Sequence, residues 1–398
     1  MRLPVLLMLS AVSGAAATAP AHVMQTLRIH PGDRVPSTLV AAPLPADDSE
    51  RTPLAFAWAL DPGRPLQPPG VQTAVSRGYS LQVDAAALRR GVALPLTAAE
   101  ALIQVSPAPG ARALPGNALQ LRGATGQPVP VRSAAAQTLL PDGVGVPTGT
   151  HVLRTGTHVA GLHALYATPA RGRYVVQVME PLSPLWLELQ APRTTLLAGG
   201  TTTVRARLHD DAAASGAPRA GVAGPYGQAL LVAPDGRSWP QPLHPDTNGR
   251  LQVQVRVPAE GSALPGLWEL QVFTGAAGVL RDGRVAFAVA QPTARLSGQA
   301  AADPLRRRIV LPVQVAAPGR YEVRGTLYAT GRDGQPRPVA QGHAAAWVGT
   351  PGNTTLVLGF GTVPLPPGFS APYELRDLQL HDQSRLAPLE SRAAPLRF

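Results

Sequence analysis

The chain contains neither cysteine nor lysine. Without cysteine there can be no disulfide framework, no thiol nucleophile and no lipid-bearing cysteine behind a leader. Without lysine, all 35 basic residues are arginine, against 24 acidic ones. Aromatic residues are few, at 5%, and no apolar run reaches the roughly 20 residues a membrane-spanning helix needs. Catalytic signatures are also missing. There is no G-x-S-x-G elbow, no H-E-x-x-H zinc helix, no phosphate-binding G-x-x-x-x-G-K and no dinucleotide-binding G-x-G-x-x-G. The carboxylates rarely cluster, so no paired-carboxylate site stands out.

The formal charge of +11 raises the question of nucleic acid. Its distribution argues against that partner. The arginines are scattered along strand-like segments, Arg306-Arg307-Arg308 is the one run of three, and no aromatic-basic platform or helix-turn-helix pattern accompanies them. Nonspecific attraction to anionic envelope polymers is the residual expectation, and added salt should abolish it.

What the chain does have is 398 residues, 45% of them hydrophobic, with 40 glycines and 44 prolines. That length suits two to four domains. The Gly and Pro content favours short strands and turns over long helices. At the start, "MRLPVLLMLSAVSGAAATAPA" offers Arg2, an apolar stretch from Leu3 to Val12, and small residues before Ala17 and Ala21. This is the form of a secretory signal peptide over residues 1–21, and it implies a periplasmic or secreted product that is not a lipoprotein. No transmembrane segment is expected after its removal.

Strand periodicity recurs through the rest. "GRLQVQVRVP" sets Leu251, Val253, Val255 and Val257 opposite Gln252, Gln254 and Arg256. "TVRARLHD" and "GRVAFAVAQP" alternate in the same way, which predicts half-buried antiparallel strands. Turn dipeptides punctuate them: Asp142-Gly143, Asp235-Gly236, Asn248-Gly249, Asp282-Gly283 and Asp333-Gly334. Helical signals are sparse. "DAAALRRG" offers Asp84 as N-cap and Gly91 as stop, and "TAAE" at 97–100 has the spacing of a capping box.

"ARGRYVVQV", "LPGLWELQV" and "APGRYEVRG" share a layout, a Gly, an aromatic two positions on and then alternating apolar residues, and "SAPYELRDL" repeats it without the Gly. Tyr174, Trp268 and Tyr373 then fall about one immunoglobulin-like domain apart, as expected for tyrosine corners, whereas Tyr321 reads as an ordinary strand start. The expected fold is all-β: tandem immunoglobulin-like β-sandwich domains behind a longer β-rich N-terminal domain with at most one or two short helices. The expected domains are 22–183, 184–291 and 292–398, closely coupled by short Pro-bearing joints. A change of apolar phase in "YELRDLQLHD" predicts a β-bulge at Arg376-Asp377.

Two sets of residues are candidates for function. His151, His158 and His163 gather in the hairpin-like "HVLRTGTHVAGLH", and neutral imidazoles can share a metal. Trp239 and Trp347 are candidate exposed aromatics for a sugar or peptide. Ordinary strand histidines and core tryptophans are the competing readings. No cofactor is called for.

"AGVAGPYGQALLVAPDGRSWP", "PGLWELQVF", "RDGRVAFAVAQPTARL" and "APYELRDLQLHDQSR" resemble an uncharacterised family of exported gammaproteobacterial multidomain proteins with immunoglobulin-like domains, a domain of unknown function. The likeness covers roughly residues 184–398 and extends into the first domain through "SRGYSLQVDAAALRRGVALPL". It implies the fold and the export, and it brings no catalytic residues. The resulting expectation is a non-enzymatic envelope or secreted module that binds a protein or glycan. The alternative is an enzyme or enzyme accessory with a histidine metal site in domain one.

Overall fold

The computed structural model describes residues 23–45, 50–67, 70–135, 147–157, 160–212, 227–246, 250–259, 266–276 and 278–398. They are nearly all β, in multiple sheets whose pairings are antiparallel apart from that between Thr195–Leu197 and Val279–Ala290. The chain divides into two compact units, one of residues 68–291 and one made of residues up to Gln67 together with Pro292–Phe398.

The unit of residues 68–291 has two cores. In the first, a sheet ordered Gly78–Asp84, Arg173–Met179, Leu102–Pro107, His151–Thr155, Val131–Ala135 and a second ordered Val92–Leu96, Gly161–Ala167, Leu119–Gly123 bury one cluster. The α-helix Ala85–Arg90 inserts Leu88 there, and it forms as its sequence predicts. The Asp84 carboxylate accepts from the Ala87 N–H at 2.7 Å, and Gly91, at φ 100°, ends the helix. "TAAE" forms no helix; Glu100 takes φ 56° and the strand Leu102–Pro107 follows.

The second core lies between two five-stranded sheets. Leu187, Val204 and Val253 from one meet Leu231, Trp268 and Phe287 from the other. Polar residues alternate with these and point outward, as the period-two reading requires. Asp235-Gly236 and Asp333-Gly334 are turns, with glycine φ of 86° and 75°. Asp282-Gly283 is not a turn. It lies within the twelve-residue strand Val279–Ala290, where Gly283 leaves room for Leu187 and Leu189, whose methyls would stand 3.0–3.1 Å from an added Cβ. Asp142-Gly143 and Asn248-Gly249 lie outside the described residues.

The other unit is assembled from both ends of the chain. Its larger sheet runs Leu54–Ala59, Pro336–Val348, Gly319–Thr330, Ser370–Asp382, Ala387–Arg392, and its smaller sheet runs Val23–Thr26, Gln299–Asp303, Arg308–Val315, Ala294–Leu296. The expected domain 22–183 is therefore redistributed. Val23–Thr26 and Leu54–Ala59 pair with strands beyond residue 292, and Gln72–Ser76 pairs with Leu185–Ala191. These segments are short, so their partners are set by tertiary hydrogen bonding that local sequence does not encode.

The bulge is where the phase change placed it. Thr326 pairs with Arg376 and Arg324 with Gln379, and Asp377 takes φ 53°. The Tyr174 hydroxyl bonds back three residues, 3.0 Å from the Arg171 carbonyl oxygen and accepting from the Arg171 N–H at 3.1 Å, and it also lies 2.7 Å from the Arg112 carbonyl oxygen. In the C-terminal part it is Tyr321, not expected to do so, that bonds back four residues to the Ala317 carbonyl at 2.7 Å. The indole N–H of Trp268 is buried with no partner among the described residues, so packing alone fixes that ring.

Candidate functional site

The larger sheet of the two-ended unit turns one face to its core, with Tyr321, Val323 and Leu380 buried. On the other face the register aligns Phe56 with His343, Arg324 and Gln379, and Leu54 with Ala345, Glu322 and His381. Alternation brings Trp58 onto the same side as Phe56, and Trp347 onto the same side as His343. The edge strand Leu54–Ala59 thus lines its large side chains against a charged row.

Phe56, Trp58 and His343 form a tile of rings. Their centroids lie 5.0–5.7 Å apart and their planes within 26° of parallel. Phe56 and Trp58 remain 46% and 40% exposed, whereas the His343 side chain is only 13% exposed. Glu322 pins the imidazole: His343 Nδ1–H donates to Oε1 at 2.6 Å, and Arg324 donates to Oε2 at 3.0 Å. Burial alone would raise the Glu322 pKa, but the bonds from His343 and Arg324 outweigh it and hold the carboxyl below its ordinary value. The other ring nitrogen, Nε2, is buried without a partner among the described residues. Next on this face, His381 is pushed down to about 4 by burial and by the nearby Arg324. Past Trp58 the chain lines an open cleft of about 640 Å³ with Pro62, Pro65 and Leu66, beside Tyr328 and Arg376.

The unit of residues 68–291 repeats the device. Trp186 stacks on His209 at 3.9 Å, His209 is 2.9 Å from Glu188, and the Trp186 indole donates to Asp211 at 2.9 Å.

The residues singled out by sequence are dispersed. His151 and His163 lie on consecutive strands that enter different sheets, which replaces the expected hairpin. His163 is buried, with Nδ1 3.0 Å from the Gly161 carbonyl oxygen, whereas His151 Nδ1 has no partner among the described residues. His158 lies outside the described residues. Among the described residues no three His, Cys, Asp or Glu side chains are grouped to hold a metal ion. Trp239 stacks on the buried Trp268 at 5.4 Å, with Arg237 over its ring. Trp347 lies on the tile's face of the sheet under Arg51, 4.8 Å from its ring. Sequence reasoning missed Phe56, Trp58, His343 and Glu322. Their signal was an all-apolar "LAFAWA" whose large residues fall at alternate positions.

Fold and surface together define an all-β protein of several sheets with an aromatic tile at one edge. Among the described residues no helix is long and apolar enough to cross a membrane. Residues 45–180 match the description "Domain of unknown function (DUF4785) N-terminal domain" and residues 293–398 match "Domain of unknown function (DUF4785) C-terminal domain", together more than half of the chain. The chain belongs to this DUF4785 family. A crystal structure of a DUF4785 family protein from Legionella pneumophila is 18% identical, with a TM-score of 0.66, covering 92% of this chain and 99% of that one. At that identity the likeness is one of fold. Dimeric latent PorU from Porphyromonas gingivalis gives 9% identity and a TM-score of 0.17 over 76% of this chain and 30% of that one, too low to support argument. No curated protein matches the chain.

Proposed function

We propose that this protein is an exported, non-enzymatic binding module of the cell envelope, with immunoglobulin-like domains, and that its contact surface is the Phe56–Trp58–His343 tile. The observation that carries the reading is the tile itself: two large rings, each at least two-fifths exposed, stacked against an imidazole that a carboxylate holds in place. Exposed aromatic side chains arranged in this way suit the apolar face of a sugar ring or an apolar anchor of a protein. The polar row of Arg324, Gln341 and Gln379 beside it supplies hydrogen bonds for hydroxyl or amide groups. Parallel ring planes favour the glycan. Export rests on the leader-like first 21 residues.

The test is tryptophan fluorescence of the mature protein titrated with soluble peptidoglycan fragments and, separately, with a neutral glucan. Saturable quenching is expected with one of them. Trp58→Ala and Phe56→Ala should each weaken it about tenfold, the scale of one lost aromatic contact. Absence of binding to either glycan, or binding that both variants retain in full, sinks the glycan reading.

A further inference from the structure

The strand that carries the tile also carries an open hydrogen-bonding edge. Leu54–Ala59 is the last strand of its sheet and pairs on one side, with Pro336–Val348. The Leu60 N–H bonds to the Val339 carbonyl at 2.9 Å, which sets the parity of the ladder. Main-chain groups of Leu54, Phe56 and Trp58 therefore face the neighbour, and those of Ala55, Ala57 and Ala59 face outward. No described residue hydrogen-bonds to those outward groups.

Exposed edges normally carry a guard in the form of a charge, a proline or a bulge. Several other edge strands of this chain have one: Pro240 in Ser238–Gln241, Pro245 in Leu243–Pro245 and Arg132 in Val131–Ala135, whereas the unguarded edges Val23–Thr26, Gln72–Ser76 and Thr195–Leu197 are shorter strands. Leu54–Ala59 reads LAFAWA and has none, while Leu54 is 51% exposed.

We infer that this edge pairs with a second copy of the same strand, antiparallel about a twofold axis at Ala57. The strand is complementary to itself in this register. Ala57 faces the partner's Ala57, and Ala55 faces its Ala59, so all three outward main-chain positions are used in hydrogen-bonded pairs. Phe56 then falls opposite the partner's Trp58 in the non-hydrogen-bonded position, where side chains approach most closely and cross-strand aromatic pairs stabilise most. Large residues fall on one face of the joined sheet and alanines on the other. The two tiles become neighbours on one continuous sheet. An interface built on six residues a side lies at the small end of specific association, below about 1,200 Å², so the dimer should be reversible and of micromolar order.

The absence of native cysteine makes the test direct, because one introduced cysteine supplies the sole thiol of each chain. Sedimentation velocity of the mature full-length protein across the micromolar range should show a monomer–dimer equilibrium. Under mild oxidation Ala57→Cys should form a disulfide dimer, the paired Cα atoms lying near 5.5 Å, within disulfide range. Ser238→Cys, on a proline-guarded edge, should cross-link far more slowly. Ala57→Pro removes an outward N–H that no ladder bond uses, so it should keep the fold, shown by an unchanged far-ultraviolet dichroism and melt, and abolish the dimer. Phe56→Lys is the second disrupting variant. A wild type that stays monomeric overturns the inference, as does a dimer that persists in Ala57→Pro or cross-linking no faster at 57 than at 238. Glycan quenching retained by monomeric Ala57→Pro would separate this inference from the binding reading, which uses the face and not the edge.

Discussion

At the residue scale, arginine does what lysine could not. Arg281 and Glu180 are both fully buried, 2.9 Å apart, where Val279–Ala290 passes between the two cores of the 68–291 unit. The guanidinium donates to the carbonyls of Leu185 and Leu280 and to the hydroxyls of Thr97 and Ser183, and Glu180 accepts from the N–H groups of Thr97 and Ala98. A five-donor fork can meet this many fixed acceptors, and an ammonium cannot. Burial lowers the Arg281 pKa, and Glu180 opposes that shift. Changing Glu180 to Ala should cost about 3–5 kcal/mol in denaturant unfolding, because the buried cation is left alone. The double change with Arg281→Met should cost less than the sum, and additive costs would show that the two are uncoupled. Neither residue is legible in sequence as a partner of the other, since a contact between separate strands leaves no local spacing.

His381 gives the second prediction at this scale. Its folded pKa of about 4 lies below the ordinary 6.5, through burial first and then the nearby Arg324 and Arg34, with Glu322 pulling the other way. The folded state keeps it neutral while the unfolded chain takes up the proton, so its contribution is intact above pH 6.5 and declines as pH falls toward 4. Thermal melts should lose stability across that window, and His381→Gln should flatten the slope. An unchanged slope in the variant would place the titration elsewhere.

At the element scale, strands with one polar face were readable and wholly apolar ones were not. Thr201–Asp210 and Leu251–Arg256 alternate polar with apolar residues, so their pattern alone reveals which side is buried. Leu54–Ala59 has no polar residue to mark a face, and its partner strand begins only at Pro336, so neither the element nor the tile it carries could be placed. Asp282-Gly283 misled for the opposite reason: a turn dipeptide was needed for close packing inside a strand. The corner residues were half legible. The aromatic layout found Tyr174 but passed over Tyr321, because both layouts look alike until the backbone acceptor is known. Tyr321→Phe removes a buried bond at 2.7 Å and leaves the Ala317 carbonyl without it, so it should cost about 1–3 kcal/mol in chemical denaturation. A cost no greater than that of a surface control would deny the corner its role.

For the whole molecule, the arrangement that matters is a unit closed by both ends of the chain, with residues 68–291 inserted between them. Besides two strand pairings, four arginines stitch the N-terminal segment down. Arg320 donates to the carbonyls of Glu50 and Thr52, Arg385 to those of Ala42 and Pro43, Arg392 to that of Arg28 and Arg295 to that of Ser37. Arg320 and Arg392 are themselves buried, at 7% and 6% exposure. Without residues 23–67 these groups lose acceptors, at about 1–3 kcal/mol for each one left buried and unmatched. Several such losses approach the whole stability of a domain of this size, about 5–15 kcal/mol. Expressed alone, 292–398 should therefore lack a cooperative melt, and 68–291, which carries both of its cores, should fold by itself. Adding a separate 23–67 peptide to 292–398 should restore near-ultraviolet dichroism and a melting transition. If 292–398 alone melts cooperatively and gains nothing from the peptide, the two-ended closure is decoration on a domain that stands without it. If the peptide restores the transition, the division of labour is set by topology: the long separation between paired strands makes this closure the slow step of folding, and refolding of the full chain should show a late phase that Arg320→Ala slows and Glu180→Ala does not.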